Sequence, residues 1–233
     1  MFKNFVYEYN MKKYKFYKFL VVSLKSLSGR SQNGLITHYG RGGRLKKLYR
    51  LIDFYRYLKI NIPYLISRFE YDPNRNVFLM LLLYVNGIST YVLAPNLVKI
   101  FDIYMLRFFK IGENLCIFFG FSGMLIYNVQ YVNYKRAKLS CSAGSFVILL
   151  RKIGHYVLSR LKSKEELSLL NNIHINIGRI AGELNKLFKF LKAGVKQNLG
   201  FKSKVRGTAK NPIDHPHGGG SGRTTAGRPS VSP

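Results

Sequence analysis

The residues of this chain whose types could do chemistry gather near its end, in Asn211-Pro212-Ile213-Asp214-His215-Pro216-His217-Gly218-Gly219-Gly220-Ser221-Gly222-Arg223. An Asp beside a His invites a hydrolase reading. A catalytic triad is recognised by geometry, however, and adjacent residues seldom face one another as catalysis requires. His215 and His217 alternate as metal ligands can, yet no second ligand pair lies near. A phosphate-cradling loop of the G-x-x-x-x-G-K-[ST] type needs a lysine that residues 218–222 lack. The segment better suits a peptide wedged between RNA strands. Prolines 212 and 216 fix the backbone, and the glycines at 218 to 220 let it pass close to other groups. Arg206 and Arg223 flank it as phosphate forks, and the imidazoles can stack or donate. No catalytic residue, metal ligand, cofactor or small-molecule substrate is assigned.

Charge carries the same direction through the whole chain. The 38 Lys and Arg against 10 Asp and Glu leave +28 over 233 residues, with a pI near 10.2. Self-repulsion of that size opposes compaction, so a polyanion that cancels it both binds and stabilises the chain. Ten scattered acids argue against an enzyme that processes nucleic acid with convergent carboxylates. A membrane is the other polyanionic surface to weigh. The longest apolar stretch, 77–85, is far short of the roughly 20 residues needed to span a bilayer, so no membrane insertion is expected. Cys116 and Cys141 lack both disulfide density and zinc-site spacing, and read as small buried hydrophobes. The N-terminus has no cleavage pattern and few transit-peptide features. Abundant Lys, Leu, Ile, Asn, Tyr and Phe, with no Trp, is the bias of AT-rich coding. An organelle-encoded protein that needs no targeting signal is the expectation.

These side chains need elements to position them. Residues 1–33 are Lys- and Tyr-rich without a period and read as a basic extension lying on RNA. Short apolar, β-branched or aromatic runs then predict strands at 35–39, 48–54, 77–84, 88–93 and 98–106, and a second series at 124–132, 146–150, 155–161 and 167–177. Asn86-Gly87 predicts a tight hairpin, and Asp72-Pro73-Asn74-Arg75 a turn. Many short strands without long helices indicate two small barrels. Leu184, Leu187, Phe188 and Leu191 follow a 3.6-residue period and predict one amphipathic helix. Residues 192–233 have almost no apolar clusters and read as an extended tail threading into RNA.

Val205-Arg206-Gly207-Thr208-Ala209-Lys210, running into the segment 211–220, resembles the C-terminal signature of the ribosomal large-subunit protein two family, with Lys210 where the family usually has Met. Asn33-Gly34, Gly42-Gly43, Lys46 and Tyr49-Arg50-Leu51-Ile52-Asp53-Phe54 resemble its N-terminal glycine-rich RNA-binding segment. Glu70-Tyr71-Asp72-Pro73-Asn74-Arg75 and Tyr91-Val92-Leu93-Ala94-Pro95 look like its first barrel. Ser142-Ala143-Gly144, Arg160-Leu161-Lys162-Ser163 and Glu165 look like its second. Lys192-Ala193-Gly194 and Gly200 lead on to the signature. The chain departs from the pattern at Arg44, in place of a third glycine, at Leu45, in place of a His, and at Asn198-Leu199, in place of Trp and Arg.

The resemblance implies a mainly β protein: an OB-fold barrel at 34–107, an SH3-like barrel at 108–182, the extension at 1–33, and a short helix with an extended tail at 183–233. It implies binding to large-subunit rRNA with the tail directed toward the peptidyl transferase region, neighbouring large-subunit proteins, and the small subunit across the interface. It implies no enzymatic activity. Phosphate neutralisation is expected of Arg30, Arg41, Arg44, Lys46, Lys47, Arg50, Arg160, Lys162, Lys202, Lys204, Arg206, Arg223 and Arg228. A backbone fitted to RNA is expected of Gly42, Gly43, Asn211, Pro212, Asp214, His215, Pro216, His217, Gly218, Gly219 and Gly220. The rival reading is an extraribosomal single-stranded nucleic-acid module, which exposed aromatics on strand faces would favour. Most aromatics here lie in apolar runs, so core packing is expected of them.

Overall fold

The computed structural model describes residues 17–44, 46–56, 62–105, 109–133, 135–221 and 227–231. Most of the basic extension, Leu45, Gly222 and Arg223 lie outside them. The protein is mainly β. The chain forms two compact units, one from Met1–Leu24 with Lys47–Phe188, the other from Lys25–Lys46 with Lys189–Pro233.

Unit one opens with a two-stranded antiparallel ribbon of β1 (Val21–Leu24) and β2 (Lys47–Arg50). A four-stranded antiparallel sheet follows, from β3 (Tyr64–Glu70), β4 (Leu79–Tyr84), β5 (Ser89–Leu93) and β6 (Ile103–Tyr104), in the order β5-β4-β3-β6. The remaining strands are β7 (Asn114–Cys116), β8 (Leu125–Tyr127), β9 (Val147–Ile153), β10 (Tyr156–Leu161), β11 (Glu166–Leu170) and β12 (His174–Ile177). They make a six-stranded sheet in the order β11-β10-β9-β8-β12-β7.

Successive side chains on a strand point to opposite faces, and β4 uses both. Met80 and Leu82 enter one core with Tyr64, Ile66, Val92 and Tyr104. Leu79 and Leu81 enter another with Tyr91, Leu93, Tyr127 and Ile180. Burial on both faces is why β4 reads as a continuous apolar run instead of an alternation. Tyr127 and Ile180 come from the later part of the chain, so this second core joins the two sheets. A third core, with Ile126, Val147, Leu149, Val157, Leu169 and Ile175, fills the inside of the six-stranded sheet.

The Asn86-Gly87 hairpin joins β4 to β5, with Gly87 at φ +81° and Tyr84 N–H donating to Ile88 O at 2.9 Å. In the turn at 72–75, Asp72 Oδ1 accepts the Asn74 N–H and Oδ2 binds Arg75 Nε at 2.6 Å. Glu70 is buried under Tyr91 Oη at 2.8 Å, with Arg68 Nη2 at 2.7 Å and Arg50 Nε at 3.5 Å.

Several expected elements differ. Residues 35–39 are not a strand: Leu35 is 70% exposed, and only an Arg30–Ile36 bridge forms, because no sheet face lies there to bury the apolar side chains. Val98 onward yields only β6, since Leu97 and Phe101 take φ near +68° and +67° and break the extended path. Residues 167–177 form two strands, β11 and β12, parted by a turn at Asn171-Asn172. The helix predicted from Leu184 to Leu191 is a 3-10 turn, Glu183–Leu187, ended by Phe188 in extended conformation. Its apolar side chains stay exposed, Leu191 at 95%. The α-helix lies further on: α1 (Ala193–Asn198), inside the stretch read as extended tail. Val21–Leu24, read as part of the basic extension, is β1. Both cysteines are half-buried thiols; Cys116 donates to Asn171 O at 3.1 Å, and burial pushes the Cys141 thiol up to about 11. Among the described residues no helix is long and apolar enough to cross a membrane.

Candidate nucleic-acid interface

Unit two brings together two segments that lie far apart in sequence. Gly42 N–H donates to Gly200 O at 3.1 Å and Lys202 N–H to Gly40 O at 2.8 Å, around an antiparallel bridge between Arg41 and Phe201. The Arg41 guanidinium sits 4.1 Å from the centre of the Phe201 ring, a cation–π contact. Arg44 Nη1 donates to Leu199 O at 3.2 Å. Gly42 and Gly43 take φ of +125° and +71°, where a Cβ is strained. At Gly42 it would also press on the Ser28 side chain at 3.1 Å. Arg30, Arg41, Arg44, Lys46, Lys202, Lys204 and Arg206 are all exposed.

The signature segment of unit two is a closed loop. After the 3-10 turn Gly207–Ala209, Asn211 O accepts the N–H groups of Asp214 and His215 at 3.0 and 3.3 Å. Gly218 N–H donates to His215 O at 2.8 Å and Gly219 N–H to Lys210 O at 3.1 Å. His215 is 5% exposed. Gly207 lies against its imidazole and Gly218 against the Asn211 carbonyl so closely that a Cβ at either would collide. Gly219 lies against the Pro212 ring, where a Cβ would come within 2.7 Å of Cγ. Asp214, Pro216 and Gly220 lie on the loop's exposed side.

Imidazole chemistry here follows from two hydrogen bonds. His215 Nδ1 accepts the His217 N–H at 2.9 Å, so the neutral ring carries its proton on Nε2. In a Ser-His-Asp triad the His donates from Nδ1 to a carboxylate, and the Nδ1 of this ring is an acceptor, even with Asp214 next to it. Burial, with the charges of His217 and Lys210, holds the His215 imidazole below its usual range. The His217 ring meets the His215 ring at 5.0 Å and 63°, and its Nε2 lies 3.1 Å from Pro229 O. Among the described residues no group of three His, Cys, Asp or Glu could hold a metal ion.

Four more of the expected cations lie in unit one, and their side chains already have protein partners. Lys47 Nζ donates to Pro73 O at 2.6 Å and Arg50 binds Glu70. Arg160 holds Glu166 Oε1 through Nε and Nη2 at 3.1 and 2.7 Å. Lys162 donates to Gly144 O at 2.7 Å. Arg228 is exposed in unit two.

Sequence reasoning assigned the aromatics to the core and missed a ring cluster at the start of the six-stranded sheet. Phe109, Phe118, Phe119 and Phe121 are each more than half exposed. Phe109 and Phe121 stand edge to face at 6.4 Å, as do Phe118 and Phe119 at 5.6 Å. Lys152 Nζ lies 5.3 Å over the Phe118 ring and donates to its carbonyl at 2.6 Å. The available signal was Phe118-Phe119-Gly120-Phe121, a dense aromatic run without strand alternation.

Two family models match this chain. Residues 17–104 match the family description "Ribosomal Proteins L2, RNA binding N-terminal domain", and residues 110–233 match "Ribosomal Proteins L2, C-terminal domain". The chain is 38% identical over 222 residues to the large ribosomal subunit protein uL2 of Anaplasma marginale (strain Florida), covering 93% of this chain and 79% of that protein. It is 39% identical over 220 residues to that of Rickettsia canadensis (strain McKiel) and over 219 residues to that of Rickettsia akari (strain Hartford), covering 93% of this chain and 80% of each. The chain belongs to the ribosomal protein L2 family.

Proposed function

We propose that this protein is a structural constituent of the large ribosomal subunit that binds large-subunit rRNA. The observation that carries the reading is unit two. There a His-buried, glycine-tight loop is built beside exposed arginines and lysines, an arrangement that fits a shaped polyanion. In this reading the loop at 211–220 fits rRNA near the peptidyl transferase region. Exposed cations hold phosphates, and the two β bodies, divided near residues 107 and 108, contact rRNA, neighbouring large-subunit proteins and the small subunit. The protein supports assembly and subunit association and is not an enzyme. The expected location is the mitochondrial ribosome; the coding bias supports it, as does the similarity to alphaproteobacterial relatives.

Co-sedimentation tests this reading. The protein is expected to travel with large subunits from mitochondria through a high-salt gradient, with crosslinks from residues 211–220 to large-subunit rRNA. Recovery only in fractions free of ribosomes would overturn it. A second reading, a module for unpaired nucleic acid outside the ribosome, is favoured by the exposed ring cluster at Phe118 and Phe121. Binding to isolated single strands as tight as to rRNA would support that reading instead.

A further inference from the structure

Inside unit one, Phe54, Arg56, Asn114, Gln130, His174 and Asn176 line a cavity of about 10 Å³, room for one water-sized occupant. Arg56, Asn114, Gln130 and Asn176 are all more than nine-tenths buried. Each nonetheless has a polar atom without a protein partner: Arg56 Nε, Asn114 Oδ1, Gln130 Nε2 and Asn176 Nδ2. Buried polar groups of native proteins are almost always satisfied, by protein, water or an ion.

The orientation of two of these amides is fixed by their other ends. Gln130 Oε1 accepts the His174 N–H at 3.1 Å, and Asn176 Oδ1 accepts Arg56 Nη1 at 3.1 Å. Their NH2 groups are the ends left over, so with Arg56 Nε three N–H donors belong to one small cavity. Asn114 Oδ1 is the lone acceptor, and a half-turn of that amide exchanges it for a fourth donor.

Charge decides which occupant fits. The Arg56 guanidinium is always protonated. Its contacts include Gly112 O at 3.0 Å, the Asn176 amide and the Tyr64 side chain, by hydrogen bond and with the ring centre at 5.3 Å. Among the described residues no carboxylate pairs with it. Glu70 is taken by Arg50, Arg68 and Tyr91. Glu113 Oε2 accepts the Lys110 N–H, and Asp53 Oδ1 caps the backbone of Tyr55 and Arg56. A buried charge without a partner is strongly disfavoured. A water molecule would satisfy some donors and leave the charge uncompensated.

We propose that this cavity binds one small monovalent anion of the halide class, held by Arg56, Gln130 and Asn176. The anion neutralises Arg56 where that side chain ties the segment before β3 to Gly112 and to β12, and so fastens the two sheets of unit one together.

The test is thermal unfolding of the full RNA-free chain in sodium chloride or bromide against sodium gluconate at matched ionic strength, since gluconate is too large for the cavity. The midpoint is expected to rise saturably with halide. Gln130→Glu places a carboxylate beside Arg56 in the anion's stead, so it is expected to raise the midpoint in gluconate and to abolish the saturable response. Non-specific halide effects on a +28 chain would be equal in both proteins, and an equal response in both would overturn the proposal. Crystals grown in bromide give an independent reading that does not depend on the variant folding. An anomalous peak between Arg56 and Gln130 is expected, and oxygen density there without anomalous signal would mean water only and overturn it.

Discussion

His215 is the residue at which an enzymatic and a structural role diverge. Its Nδ1 accepts the His217 N–H, its carbonyl accepts the Gly218 N–H, and its ring packs against Gly207, so both ring and backbone are spent on closing the loop. An Asn at 215 keeps an acceptor near the Nδ1 position, whereas Ala removes it. His215→Asn is therefore expected to retain loop closure and subunit incorporation better than His215→Ala. Fully loaded subunits of either variant are expected to transfer peptide at near-normal single-turnover rates. Loss of a general base would instead lower that rate by about 10²–10⁴ at equal occupancy, and a drop of that size would return His215 to a catalytic role. The loop also carries a pH dependence with a definite sign. The folded imidazole is held below its ordinary value, so the open loop binds the proton more readily than the closed one. Closure is thus fully stabilised above the open-state value, near 6.5, and weakens as pH falls through the folded value. Protection of the Gly218 and Gly219 amides, their exchange relative to the intrinsic rate at each pH, followed from about pH 8 to about pH 5, is expected to fall toward acid. The residue types of this segment were legible in the sequence. The tautomer was not, because it is set by a backbone N–H two residues away and emerges only when the turn closes.

At the scale of elements, the strands legible in the sequence were those bounded by turn chemistry, such as the pair flanking Asn86-Gly87. β3 was missed because a register shift between Ile66 and Arg68 interrupts its period of two, so no clean alternation remains to be read. β7 is three residues long and draws its stability from β12 across the sheet, a partner distant in sequence. The helix predicted around Leu187 fails for the opposite reason. Its period is right, but Gly182 at φ +88° and the lack of a covering face leave a short turn with exposed apolar side chains. The exposed rings at the start of the six-stranded sheet make a prediction of their own. Base–aromatic stacking is worth about 1–3 kcal/mol per base, so replacing either Phe118 or Phe121 singly with Ala is expected to weaken RNA binding roughly fivefold to a hundredfold. Both side chains are more than half exposed, so the unfolding midpoint is expected to hold. A lowered midpoint with unchanged affinity would assign the rings to packing instead.

For the whole molecule the dominant fact is a charge of +28, legible from composition alone, while the share of it available to RNA is set by folding. Lys204 and Arg206 are exposed and make no ion pair among the described residues, whereas Arg160 is held by Glu166 and Arg50 by Glu70. Binding to phosphates releases counterions, so the logarithm of affinity should fall linearly with the logarithm of salt, by roughly 0.7 to 0.9 per phosphate contact. A protein making about 6–10 such contacts loses about 10³–10⁵ in affinity between roughly 50 and 200 mM salt, and a loss of that order is expected in filter binding to large-subunit rRNA. A slope near zero would remove phosphate neutralisation from the account. Single substitutions divide the charge further. Lys204→Gln is expected to lower the slope by roughly one contact and to leave the unfolding midpoint in place. Arg160→Gln is expected to change the slope less, because its guanidinium charge is already offset by Glu166 and an exposed ion pair adds little to stability. If Arg160→Gln flattens the salt dependence as much as Lys204→Gln does, the Arg160–Glu166 pair opens on RNA, and the six-stranded sheet contacts phosphate through β10 as directly as unit two does through its loops.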